Sequence, residues 1–144
     1  MRAKAKDIMS KPVIAVRPEA TIDEVLDMLL RHHVSGLPVV DDEQKLIGVV
    51  SEFDVLRLLY NQLEIEKTPV TKYQTTDVHT VDAEDSVIDV AEVFLERPIR
   101  RVPVLSEGKV VGIISRRDIV RYIRDVRRQV RFEIQNHTKA TPGK

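Results

Sequence analysis

The chain of 144 residues contains no cysteine and no tryptophan, and only three tyrosines and three phenylalanines. Without thiols there is no disulfide, no thiolate metal site and no cysteine nucleophile. With aromatics at 4%, the stacking platforms that single-stranded nucleic acids favour are nearly absent. No stretch approaches the roughly 18 consecutive apolar residues of a membrane span. Residues 1–9 carry charges and are followed by no apolar core of signal-peptide length. These absences point to a cytoplasmic protein without membrane contact. Charge of one sign is lacking too: 23 basic side chains balance 23 acidic ones, so there is no global polyanion-binding signature. The distribution is uneven, with 9 basic against 12 acidic residues in 1–70 and 14 against 11 in 71–144.

Signs of catalysis are equally scarce. There is no Gly-x-Ser-x-Gly elbow, no Walker loop and no recognisable acid/base pair, so the chain is not expected to be an enzyme. His32, His33, His79 and His137 lack the i, i+4 spacing of a helical metal pair with a third ligand. Asp41, Asp42 and Glu43 lack the calcium-loop pattern and read as a solvated turn.

What the sequence does hold is a duplication. Residues 12–16 form a short apolar run that Arg17-Pro18 ends, expected to be a strand. Thr21-Ile22-Asp23-Glu24 has capping-box form, in which a hydroxyl and a carboxylate three residues later each satisfy a free backbone N–H. Ile22, Val25, Leu26, Leu29 and Leu30 then recur at helical spacing. After Ser35-Gly36 comes the strand signal Leu37-Pro38-Val39-Val40, a polar turn over 41–45 and a second strand over 46–50. Ser51 opens another helix carrying Val55, Leu56, Leu58 and Leu59. Residues 62–76 lose periodicity and read as a linker, with a frayed helix end over 63–67.

The second half repeats this plan. The run 78–81 matches the first strand, Ser86-Val87-Ile88-Asp89 the capping box, and Val87, Val90, Ala91, Phe94 and Leu95 the helix face. Val102-Pro103-Val104-Leu105 matches 37–40. Gly112, Ser115 and Asp118 match Gly48, Ser51 and Asp54. Self-similarity of this kind marks a repeat architecture.

Two Gly-x-x-Ser-x-x-Asp segments, each about ten residues after a Pro-Val strand, make the chain resemble a tandem pair of CBS domains. These regulatory modules are named after cystathionine β-synthase and also occur in IMP dehydrogenase and the gamma subunit of AMP-activated kinase. The resemblance runs from about Lys6 to Asp125. It implies an α+β fold of two β-α-β-β-α repeats packed sheet to sheet with pseudo-twofold symmetry. The expected boundaries are 1–68 for the first repeat, 69–126 for the second and 127–144 for an extended basic helix and mobile tail.

The resemblance further implies two clefts, each able to hold an adenosyl ligand (AMP, ADP, ATP or S-adenosylmethionine), with no required cofactor. The aspartate would meet the ribose hydroxyls and the helix start the phosphates. Carried over, the first cleft combines Val13, Ile14, Ser35, Gly36, Leu37 and Pro38 with Ser115, Arg116 and Asp118. The second combines Val78, His79, Arg100, Arg101, Val102 and Pro103 with Ser51 and Asp54. One carboxylate can accept from both ribose hydroxyls, and each such bond contributes about 1.5–3 kcal/mol. Gly48 and Gly112 are expected to leave room for close approach. Arg116 adds a positive charge where Glu52 stands in the other copy, so the first cleft is expected to bind more tightly.

The resemblance also implies partners: a homodimer and an unidentified regulated protein are expected. Ligand-free dimerisation or partner binding is the rival function. The last helix, expected to end near Ile134, lines up Arg117, Arg121, Arg124 and Arg128. A solvated basic face or an acidic protein surface accounts for that stripe better than nucleic acid, given the scarcity of aromatics. Residues 136–144, which include Pro142-Gly143, are expected to form the mobile tail.

Overall fold

A computed structural model describes residues 2–61 and 64–140. A short helix α1 (Ala5–Ile8) precedes the first repeat, which contains α2 (Ile22–His32), β1 (Gly36–Val40), β2 (Leu46–Ser51) and α3 (Glu52–Val55). The second contains β3 (Val81–Asp82), α4 (Val87–Glu96), β4 (Arg101–Ser106), β5 (Lys109–Ser115) and α5 (Arg116–Ala140). The hairpins β1–β2 and β4–β5 are antiparallel, and β3 joins β4 in parallel. The architecture is thus the α+β duplication expected from the sequence.

Local chemistry explains most boundaries. Thr21 caps α2 by accepting from the Glu24 N–H (3.3 Å), while the Glu24 carboxylate accepts from the Thr21 N–H (3.0 Å). Ser86 caps α4 in the same way but without the return bond, so only half of the expected box forms there. The β4–β5 hairpin turns on Glu107 and Gly108, both left-handed, where glycine carries no Cβ penalty. Each hairpin carries one buried core. Val16, Val25, Leu29, Leu37, Val39 and Val50 fill the first, and Val81, Val90, Val102, Val104 and Ile114 the second. Complete burial of such a side chain contributes about 1.5–3 kcal/mol.

Four expectations require correction. The run 12–16 is not a strand: only Val16 bridges, donating to the Pro38 carbonyl and accepting from the Val40 N–H, both at 2.9 Å. Prolines at 12 and 18 bracket the run and supply no ladder donors. Likewise, of 78–81 only Val81 belongs to a strand. The helix after Ser51 is one α turn followed by a 3₁₀ turn over Leu56–Leu59. Helix α5 passes the expected end at Ile134 and reaches Ala140, because lost apolar periodicity does not remove helix-compatible residues. Residues 141–144 of the expected tail, and Leu63 of the expected frayed end, lie outside the described residues; Ile65 to Lys67 form a turn.

The two repeats exchange their leading segments. Ala5 is fully buried in the second core, and residues 3–10 bond to Asp85, Ala83, Val87 and Ile113. Conversely, Val70 is fully buried in the first core, and residues 65–75 bond to Ile22, Asp23, Ala20 and Val49. Lys4 and Lys6 pair with Glu84 across the first of these contacts.

Candidate functional site

Each hairpin runs directly into a serine-capped helix. The Asp54 Oδ2 accepts from the Ser51 N–H (2.8 Å) and hydroxyl (3.0 Å), and the Asp54 N–H donates back to Ser51 Oγ (3.2 Å). Ser115 and Asp118 reproduce this set at 2.8, 3.0 and 3.4 Å. Both aspartates are buried, at 5% and 7% exposure. A buried carboxylate needs such partners to remain charged at modest cost.

The second oxygens differ. Asp118 Oδ1 is held by Arg121 Nη1 at 3.0 Å. Asp54 also has an arginine three residues on, but Arg57 stands 3.6 Å away. Its Nε donates to the Asp54 carbonyl (3.4 Å) and its guanidinium lies over the Tyr73 ring, 5.8 Å from the centroid. Asp54 Oδ1 instead accepts the hydroxyl of Thr75 at 3.2 Å. A neutral hydroxyl leaves that carboxylate more of its accepting capacity than a close guanidinium does.

A cavity of about 580 Å³ opens between the repeats beside Asp54. It gathers Ser51, Asp54, Val78, His79, Arg100, Arg101 and Pro103 of the second predicted set. Val102 is fully buried in the second core and does not line it. Gly36, Leu37 and Pro38, assigned by resemblance to the first set, line this cavity too. So do Val49 and Ile113, Thr75 and Asp77, which sequence reasoning missed. Alternation along paired strands places Val49 and Ile113 opposite Pro38 and Pro103; nothing local in the sequence marks Thr75. Such a volume, with apolar walls and a few convergent polar groups, suits a small-molecule ligand.

The first predicted set is less well assembled. A second cavity, about 650 Å³, brings Ser35 together with Ser115 and Arg116, and is lined also by Glu52, Arg100, Arg101 and Arg117. Val13, Ile14 and Asp118 line neither cavity, and Ile14 packs on the first core. Arg116 Nε donates to the Ile99 carbonyl at 2.9 Å. Arg101 lines both spaces: burial pushes its guanidinium below its ordinary pKa, partly offset by the Glu52 charge, and its buried Nε has no hydrogen-bond partner among the described residues.

The helix starts and glycines serve the fold more than the sequence suggested. The Glu52 N–H donates to the Ser35 carbonyl (2.9 Å) and the Arg116 N–H to the Arg100 carbonyl (3.1 Å). With Asp54 and Asp118 N–H bonded to the serines, two of the first three amides of each helix are occupied and unavailable to phosphate. The close approach at Gly48 is that of the exchanged chain: a Cβ there would stand 2.8 Å from the Thr75 carbonyl oxygen. At Gly112 it would stand 2.6 Å from Met9 Cγ.

A duplicated hairpin–helix unit with an inter-repeat cavity defines a tandem-repeat module with a shared cleft. The family model for the CBS domain matches residues 5–61 and 70–125, and the chain belongs to the CBS domain family. It is 36% identical over 118 residues to the uncharacterized protein MJ1225 of Methanocaldococcus jannaschii, covering 82% of this chain and 42% of that protein. It therefore spans less than half the length of that relative. The crystal structure of CBSX2, a CBS-pair protein from Arabidopsis thaliana, in complex with AMP matches at TM-score 0.77 and 30% identity, over 86% of this chain and 98% of that one. The CBS domain pair of protein MJ0100 in complex with 5′-methylthioadenosine and S-adenosyl-L-methionine matches at TM-score 0.75 and 31% identity, over 85% and 97%. No helix among the described residues is long and apolar enough to cross a membrane.

Proposed function

We propose that this chain is a regulatory module that binds an adenosyl ligand in the cleft beside Asp54 and relays occupancy as a change in shape or assembly. The observation that carries this reading is the inter-repeat cavity, where Asp54 and Ser51 from one repeat meet Val78, His79, Arg100 and Pro103 from the other. Asp54 receives the ribose hydroxyls, and Val78 and the proline-bearing strands flank the adenine. Solved relatives bound to AMP and to S-adenosylmethionine support the ligand class. The ranking expected from charge alone is reversed in this reading, because Arg121 engages Asp118 and leaves Asp54 the more available carboxylate.

A ligand shifts an equilibrium only by binding two states with different affinity. Contact with both repeats supplies that difference, since the cleft changes when the repeats move. Thermal unfolding of the full chain with AMP, ADP, ATP or S-adenosylmethionine tests the reading. At 100 times the dissociation constant a ligand adds about 2.7 kcal/mol of stability; no shift with any of the four contradicts it.

The module acts as a homodimer in this reading. Leu30 and Leu95, Leu56 and Val120, and Leu59 and Ile123 occupy equivalent positions of the two repeats, and all six are exposed. An apolar set repeated across a pseudo-twofold axis suits a two-fold interface. Sedimentation equilibrium should give twice the chain mass; a monomer at all concentrations contradicts the dimer.

A further inference from the structure

Helix α5 (Arg116–Ala140) continues well past residue 125, where the match to the second CBS domain ends. Its first turns pack on α1 and α4, and Ile119 lies half-buried against the second core. Further along, Ile123, Val130 and Ile134 are 53%, 47% and 61% exposed. A projecting helix of about four turns is marginal in water without a packed face, and β-branched valine and isoleucine are not strong helix formers. Ile119, Ile123, Val126 and Val130 recur at intervals of four, three and four, the alternation of a coiled-coil seam. The charges keep away from it. Arg117, Arg121, Arg124, Arg128 and Arg131 fall on the opposite side. One flank of the seam carries the uncharged Tyr122 and Gln129, and on the other Arg127 is the only charge between Val120 and Ile134. Glu133, at the next seam position, accepts from Gln129 at 3.4 Å, and Ile134 beside it continues the stripe.

We infer that this stripe is the seam of a parallel two-stranded coiled coil with α5 of a second copy of this chain. The inference rests on the homodimer reading and goes beyond it, since it gives the dimer a contact made outside the two repeats. Continuity supports the choice of occupant. Val120 and Ile123 belong to the exposed apolar set common to both repeats, and the seam carries that set onward along one helix. Direction follows from charge. In an antiparallel pair centred on Val126 and Val130 like flanks meet, which brings Arg127 to Arg127 of the second copy; in a parallel pair unlike flanks meet, and Arg127 faces the side of Tyr122 and Gln129. A lipid surface suits the helix less well, because Phe132, its one phenylalanine, stands on the charged side. The first turn of the same helix, with Arg116 and Arg117, lines the second cavity, so one continuous helix joins a cavity wall to the seam.

The chain has no cysteine, so a single introduced thiol reports the contact. In the full chain, Val126→Cys or Val130→Cys should form a disulfide-linked dimer under mild oxidation, because seam residues at equal height come within disulfide reach. Arg128→Cys, on the far side, should form at least about tenfold less. The double variant Val126→Glu/Val130→Glu should weaken the dimer by about tenfold or more in sedimentation equilibrium, with the circular dichroism of the folded repeats retained because neither residue is buried. A dimer in which neither seam cysteine crosslinks, in which Arg128→Cys crosslinks as readily, or which the double variant forms as tightly as the native chain, overturns the seam and leaves the homodimer standing. A monomer at all concentrations overturns both. Cosedimentation of the monomer with phosphatidylserine vesicles would assign the stripe to a lipid surface and likewise overturns the inference.

Discussion

The two serine caps of this molecule are nearly superimposable in chemistry and differ in what surrounds them. In both, one aspartate oxygen closes the cap. In the first repeat the other oxygen meets the Thr75 hydroxyl and lines the inter-repeat cavity. In the second it meets Arg121 and lines neither cavity. An arginine stands three residues after each aspartate, so that position alone does not account for the difference. Arg57 lies over the Tyr73 ring and stands 3.6 Å from Asp54, whereas Arg121 closes on Asp118 at 3.0 Å. A duplicated motif can therefore close the same cap in both copies and face a cavity in only one of them.

The two exchanged segments press on different glycines, and substitution there has the largest expected effect. Gly48 faces the Thr75 carbonyl and the Gln74 side chain, while Gly112 faces the Met9 side chain, whose Sδ and Cγ can rotate away although its Cβ, at 2.9 Å, is fixed by the backbone. Gly48→Ala should cost about 1–3 kcal/mol, in the range of overpacking, and Gly112→Ala less, as read by urea unfolding. Equal costs would show that the Met9 segment is held as rigidly as the 74–75 segment.

Removing the arginine that distinguishes the caps comes next. Arg121→Ala should change stability by no more than about 1 kcal/mol, because Arg121 is itself half exposed and the Ser115 cap still satisfies the other oxygen of the buried Asp118. It should also release Asp118 and bring the second repeat closer to the first. Enhanced reactivity of Asp118 toward a carbodiimide, followed by mass spectrometry, would report the release; unchanged reactivity would mean that burial, not Arg121, sequesters the carboxylate.

The smallest effect concerns pH. Lys4 and Lys6 hold Glu84 well below its ordinary 4.5, at about 2. A depressed carboxylate contributes stability that is present above the unfolded value and is lost as pH falls through the folded one. Docking of residues 3–10 on the second repeat should thus weaken as pH drops from 4.5 toward 2, with little change above. Because Glu84 is exposed to solvent the loss is small, and faster hydrogen exchange at the Ala5 and Lys6 amides is the suitable readout. No change in their protection relative to Val70 over that interval would contradict it.

Much of this was legible in the residues. The Pro-Val hairpins, the Thr21 cap and the paired Ser-x-x-Asp caps follow from spacing alone, since each is satisfied by neighbours within a few positions. The exchanged segments were not legible: residues 5–8 are too short to show a period, and the partners of Ala5 lie in the other repeat. The availability of Asp54 was hidden for the same reason. Both aspartates follow a capping serine by three residues and precede an arginine by three, while Thr75 and Tyr73 reach Asp54 and Arg57 from the linker. Likewise the two glycines suggested room for a ligand, and only the path of the exchanged chain shows what fills it.

The central claim is that Asp54, not Asp118, carries adenosyl binding, and titrating AMP into Asp54→Asn and Asp118→Asn tests it most directly. Asn preserves the shape and removes the charge. Loss of charge-assisted bonds of about 1.5–3 kcal/mol should weaken AMP binding by about 10–100-fold in Asp54→Asn. Binding to Asp118→Asn should remain within about threefold of the native chain. The reverse pattern, with Asp118→Asn losing the binding event and Asp54→Asn keeping it, would contradict the account.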